Sequence, residues 1–144
     1  MKKYSFLSLV FLLLFTVACK KTTTDLPEIP KISLNTEFDL DFGAVGEIEN
    51  TALRISFEEV IEDSRCPIDA ICIWEGRAWV KLVGTDVDVK TDIELITKNS
   101  INLDSMVTAN YLDYQIELIN VDPYPDGSVT GNEEYSVTFV VTAL

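Results

Sequence analysis

Two cysteines, two tryptophans, two guanidiniums and several carboxylates crowd into one stretch of this chain, Asp63-Ser64-Arg65-Cys66-Pro67-Ile68-Asp69-Ala70-Ile71-Cys72-Ile73-Trp74-Glu75-Gly76-Arg77-Ala78-Trp79. Three chemistries are open to Cys66 and Cys72: a disulfide, a redox dithiol, or two thiolate ligands for a metal. The last two are weak. Five residues separate the thiols instead of the two of a Cys-x-x-Cys pair, and the chain has no histidine to complete a zinc or copper site. The same absence removes the usual general base of serine and cysteine hydrolases. A hydrolase built on paired carboxylates stays conceivable, with Asp39/Asp41 and Asp86/Asp88 at strand spacing, but nothing marks a cleft. No catalytic residue, metal ligand or cofactor is therefore assigned.

The polar residues of the stretch read first as local architecture. Asp63 can accept hydrogen bonds from the backbone amides that follow it in a turn. Arg65 offers five donors to carbonyls or to a carboxylate such as Glu75, and Pro67 stiffens the loop. With Trp74 and Gly76 these form an expected structural turn network. The competing reading presents Arg65 to a partner on an exposed tight loop, as a protease inhibitor or an enzyme-accessory protein would. Arg77, Trp79 and Lys81 share one face of the segment that follows, and an exposed aromatic there suits a carbohydrate or protein partner. Arg65, Arg77 and Trp79 are thus the candidate contact residues. Asp122 and Asp126 are a candidate calcium pair, without EF-hand spacing.

Which cysteine chemistry applies depends on compartment. The 144-residue chain opens with Lys2-Lys3, an apolar run from Phe6 to Phe15 broken only by Ser8, and Thr16-Val17-Ala18 before Cys19. Residues 1–18 read as a signal peptide, and the apolar run is shorter than the ~20 residues of a membrane-spanning helix. Ala18-Cys19 resembles the lipobox of bacterial lipoproteins, with Thr16 where that pattern usually has Leu. The resemblance implies lipidation of Cys19 and a membrane anchor in the bacterial cell envelope, expected at the outer membrane. In an exported protein the remaining pair, Cys66 and Cys72, is expected to form a disulfide. Cleavage removes two lysines and no acid, taking the net charge from −13 to −15. Such a surface repels phosphate backbones and anionic lipid heads, so nucleic acid is excluded as a partner and membrane attachment must come from lipid.

The elements that would position these residues are strands. Residues 19–33, with Thr22-Thr23-Thr24, Pro27 and Pro30, read as an extended tether. From Leu34 to the C terminus apolar residues recur at every second position. Phe38, Leu40 and Phe42 form one such run, and Leu53, Ile55 and Phe57 another; Val60 falls out of phase unless a β-bulge lies near Glu58-Glu59. Trp74, Ala78, Val80 and Leu82 are expected on one face of the next strand, ending at Gly84. Val87, Val89, Ile93 and Leu95 follow. After a weak segment with Ile101 and Leu103 come Leu112, Tyr114, Ile116 and Leu118, then the loop 122–127, then Tyr135, Val137, Phe139 and Val141. The chain is expected to be all-β: one antiparallel two-sheet, immunoglobulin-like β-sandwich of six or seven strands over residues 34–144.

One further resemblance rests on Asp63-Ser64-Arg65-Cys66-Pro67, four residues, then Cys72-Ile73-Trp74-Glu75-Gly76. It is similar to the D-S-R-C-P-x4-C-[VI]-W-x-G motif of a group of uncharacterised bacterial secreted proteins and lipoproteins, with Glu75 where Ala is usual. Phe57, Val60 and the run Tyr114-Gln115-Ile116-Glu117-Leu118 leading to Pro123 and Pro125 extend it. The resemblance implies an envelope protein and no particular reaction. The expected function is that of a non-enzymatic binding or structural lipoprotein. The alternative uses the Cys66–Cys72 loop as a contact.

Overall fold

The alternation of apolar and polar residues produces nine strands in the computed structural model, which describes residues 28–97, 106–126 and 131–144. The expected signal peptide, Cys19, most of the expected tether, Ile101, Leu103 and Gly127 lie outside the described residues. The strands are β1 (Lys31–Ile32), β2 (Glu37–Asp41), β3 (Val45–Ile48), β4 (Arg54–Asp63), β5 (Ala78–Asp86), β6 (Val89–Ile96), β7 (Thr108–Tyr111), β8 (Tyr114–Asp122) and β9 (Ser136–Ala143). They make a five-stranded sheet, β1-β3-β4-β5-β6, and a four-stranded sheet, β2-β9-β8-β7. The expectation of six or seven antiparallel strands is corrected on two counts. β1 pairs with β3 in parallel, so the larger sheet is mixed. β1, β3 and β7 have two, four and four residues, too short to show a sustained period of two, so none of the three was visible as a strand.

One core fills the space between the sheets. Ile55 and Phe57 on β4, Val80 and Leu82 on β5, Leu95 on β6, Ile116 and Val121 on β8, and Phe139 and Val141 on β9 are fully buried. Each large side chain removed from water contributes about 1.5–3 kcal/mol. Phe42 packs edge-on against Phe57 with ring centres 5.5 Å apart, and Phe38 lies 5.8 Å from Phe139. Ile32 is also fully buried, so the folded chain begins before Leu34: the last residues assigned to the tether form β1, because pairing with β3 covers Ile32 against the core.

The sheets are joined at their margins as well as through the core. The Phe42 N–H donates to the Tyr135 carbonyl at 2.9 Å, and the Gly43 N–H to the Phe57 carbonyl at 2.8 Å, so the turn after β2 touches both sheets. Ahead of β7, Met106 O accepts from the Ile96 N–H at 2.8 Å while Val107 O accepts from the Leu118 N–H at 2.9 Å. These two crossings tie the margins of the sheets together.

Bulges lie where the parity of the sequence breaks. The β4–β5 register slips between Phe57 and Glu59 and again between Val60 and Glu62, and Val60 packs partly buried against the core. The β8–β9 register slips between Leu118 and Asn120, pushing Ile119 outward and returning Val121 to the core.

Two expectations about strand ends are overturned. Gly84, read as a terminus, lies inside β5, where a Cβ would stand 2.5 Å from atoms of the Tyr111 ring; the missing side chain is what admits the tyrosine. Val87 and Val89, expected on a buried face, are exposed. β5 and β6 pair as far as Asp86 and Val89, which leaves Val87-Asp88 as a two-residue hairpin turn with Val87 at φ 53°. The hairpin between β7 and β8 repeats this, with Leu112 at φ 53° and exposed.

Tyr111 supplies a stability prediction. Its ring is buried, but its hydroxyl has no hydrogen-bond partner among the described residues. Burial, with the charge of Asp86, raises its phenol above the usual value of 10.0. An unmet buried hydroxyl costs about 1–3 kcal/mol, so Tyr111→Phe is expected to stabilise the protein by about 1 kcal/mol in urea titrations at neutral pH. A phenol raised in the folded state favours folding fully below pH 10.0, and that contribution fades as pH climbs toward the folded value. The advantage of Tyr111→Phe is therefore expected to widen above pH 10.0.

Candidate functional site

The chemistry-rich stretch continues the β4–β5 hairpin past its last ladder pair. The Ser64 N–H donates to the Arg77 carbonyl at 2.8 Å and the Cys66 N–H to the Glu75 carbonyl at 3.0 Å. The Ser64 hydroxyl adds bonds to the backbone of Arg77. Gly76 sits in this crossing at φ 70°, and a Cβ there would fall 1.8 Å from the Ser64 carbonyl oxygen. Only glycine fits. Just beyond, Cys66 and Cys72 are joined in a disulfide with their Cα atoms 5.9 Å apart.

Arg65 is the clamp beneath the loop. It is 7% exposed, and it grips the Asp63 carboxylate with two parallel bonds, Nε to Oδ1 at 2.8 Å and Nη2 to Oδ2 at 2.7 Å. Its other donors cross to the second sheet: Nη1 to the Val121 carbonyl at 2.5 Å and Nη2 to the Pro123 carbonyl at 2.8 Å. The Tyr124 ring stacks on the guanidinium, 4.8 Å from its carbon. Asp63 also accepts from the Arg65 N–H and the Tyr135 hydroxyl. Burial, then the negative charge of Asp63, pushes the Tyr135 phenol up, so it stays a donor. Two register slips interrupt β4 ahead of this clamp, and a bulge bends the strand that carries it. The Asp122–Pro123 peptide bond is cis.

The expectation that Arg65 reaches an outside partner is corrected by this burial. Trp74 is corrected too: it joins neither the network nor the buried face of β5, and is 67% exposed. Pro67 is exposed and closes a turn, its carbonyl accepting from the Ala70 N–H. Arg77 and Trp79 are brought together on the outer face of the larger sheet, the guanidinium carbon 5.5 Å above the indole centre, with Glu62 at 3.6 Å from Arg77. The indole is half-buried, with the Arg77 guanidinium against one of its faces. Asp122 accepts from the Asn120 side chain, and no cluster of three or more His, Cys, Asp or Glu side chains suited to a metal exists among the described residues.

What sequence reasoning missed is the loop's surface. Ile71 and Ile73 are almost wholly exposed, and Ile68 is as open as Trp74. The loop is nevertheless tied down, since the Ile68 N–H donates to the Pro125 carbonyl at 3.1 Å. A signal was present: Ile68 and Ile71 lie inside the Cys66–Cys72 ring, which is too small to bury them, and Ile73 and Trp74 follow it directly. A hollow of about 160 Å³, lined by Arg65, Glu75, Gly76, Thr97, Ile119, Asn120 and Tyr124, lies at the loop's base. That is below the several hundred Å³ of ordinary small-molecule sites. Comparison with protein-family models, with curated proteins and with solved structures finds no match in any of the three.

Proposed function

We propose that this protein is a non-enzymatic binding module of the bacterial cell envelope, lipidated at Cys19, whose contact surface is the apolar loop from Ile68 to Trp74. The observation that carries the reading is the combination of four exposed large apolar side chains with a base braced by a disulfide and a buried ion pair. Exposed apolar residues concentrated in one patch mark interaction sites. A rigid base lowers the entropy lost on binding. An immunoglobulin-like sandwich is the architecture we assign, supported by two hairpin-built sheets around a shared core, and loops at the end of such a sandwich are natural contact elements. The membership implied by the Asp63–Gly76 motif belongs to this same proposal.

Site-specific photo-crosslinking in the native envelope tests it. A photoreactive side chain at Ile71 is expected to give discrete adducts, and one at Asp39, exposed on β2, is expected to give none. Equal labelling from both positions, or none from Ile71, overturns the reading.

A further inference from the structure

The surroundings of the loop narrow what it enters. From Cys66 to Gly76 the chain holds Asp69 and Glu75 and neither Lys nor Arg. The segment backing the loop, residues 119–126, adds Asp122 and Asp126, again without a basic residue. The guanidiniums that flank the loop are engaged, Arg65 buried on Asp63 and Arg77 beside Glu62 and Trp79. An apolar tip therefore stands in an acidic frame, on a chain of net charge −13.

Three occupants compete for such a tip. A second copy would bring the same carboxylates against themselves, and like charges face to face oppose association. A lipid surface fits poorly as well: segments that lie in a membrane interface pair their apolar residues with Lys and Arg, which anionic head groups attract. A protein cleft with apolar walls and a rim of lysines or arginines complements both features at once. We infer, on the contact-loop reading above, that the partner is a protein of this kind. Ile71, Ile73 and Trp74 enter its cleft while Asp69 and Glu75 face its basic rim. The apolar insertion supplies the lifetime of the complex and the charges supply the rate of encounter.

The test starts from the full lipidated chain in its native envelope, with a photoreactive group at Ile68 so that Ile71, Ile73 and Trp74 stay intact. The captured protein is identified, purified and titrated against the full chain in detergent micelles. Ile71→Ser/Ile73→Ser is expected to weaken binding about 100-fold, mainly by faster dissociation. Asp69→Asn/Glu75→Gln is expected to slow association about tenfold at roughly 50 mM salt, and the difference should vanish near 0.5 M as screening removes it. A partner lost with the isoleucines but indifferent to salt and to Asp69→Asn/Glu75→Gln overturns the basic rim and leaves the contact loop standing. Failure of Ile71→Ser/Ile73→Ser to weaken binding removes both. Adducts between two copies of the chain overturn the inference in favour of a second copy. Flotation of the Cys19→Ser chain with phosphatidylcholine vesicles, abolished by Ile71→Ser/Ile73→Ser, overturns it in favour of lipid.

Discussion

Arg65→Ala is expected to destabilise the protein by about 3–5 kcal/mol, the range seen when one partner of a buried ion pair is removed, and to lower Tm by roughly 10–20 °C. The Asp63 side chain is 7% exposed, so its charge would be left with the Tyr135 hydroxyl and one backbone amide as donors. The Val121 and Pro123 carbonyls, which Arg65 ties to the other sheet, would lose their donor as well. Two controls separate these causes. Arg65→Lys keeps the charge but lacks the planar fork, and is expected to recover less than half of the loss. Asp63→Leu/Arg65→Met removes both charges and is expected to cost less than Arg65→Ala alone, because no unpaired ion remains buried. Urea unfolding of the four proteins checks the series. A Tm for Arg65→Ala equal to that of the parent would show that the clamp is dispensable.

Gly76→Ala is expected to cost about 3 kcal/mol or more, combining a left-handed backbone with a steric collision. The added carbon would sit 1.8 Å from the Ser64 carbonyl oxygen, and relief requires opening the crossing that carries the Ser64–Arg77 and Cys66–Glu75 bonds. Gly43 is the natural comparison. It has a similar φ of 75° but nothing within 4 Å of its missing side chain, so Gly43→Ala is expected to cost only about 1–2 kcal/mol, the backbone part alone. Amide exchange localises the effect: the Ser64 and Cys66 N–H groups should lose protection in Gly76→Ala and keep it in Gly43→Ala. Comparable losses from the two substitutions would mean that the contact with Ser64 is easily relieved. If the Ile68–Trp74 loop is the contact surface, Gly76→Ala also disturbs its presentation, whereas Ile71→Ser/Ile73→Ser removes the surface and spares the brace.

The strand faces were legible because burial on one side of a sheet writes itself into alternate residues. Phe38, Leu40 and Phe42 on one run, and Val137, Phe139 and Val141 on another, all turn toward the core. The break between Phe57 and Val60 pointed to a bulge, and the same break between Leu118 and Val121 marks a second one that went unread. Val87 and Val89 misled for a physical reason. Val87 lies in a two-residue hairpin turn and Val89 in the last ladder pair beside it, both exposed at the sheet's end, and alternation carries no mark of where a hairpin turns. Gly84 misled because a glycine that ends a strand and one that makes room for a neighbour's ring look the same until Tyr111 is seen across the core.

The opening stretch divides in the same way. Its sequence by itself determined that no histidine-based chemistry is available, that Cys66 and Cys72 lie close enough to be bridged, and that Asp63, Arg65 and Gly76 are of types suited to a tight, hydrogen-bonded turn. Only the tertiary structure decided which way the residues point. Arg65 turns inward because Val121 and Pro123, 56 and 58 residues further along, present carbonyls to it. Ile71 turns outward because Cys66 and Cys72 close a ring with no interior to receive it, and Ile73 and Trp74, just past the ring, stay exposed because no other described part of the chain covers them. Neither direction is written locally, since each depends on what distant chain does or does not place beside the loop.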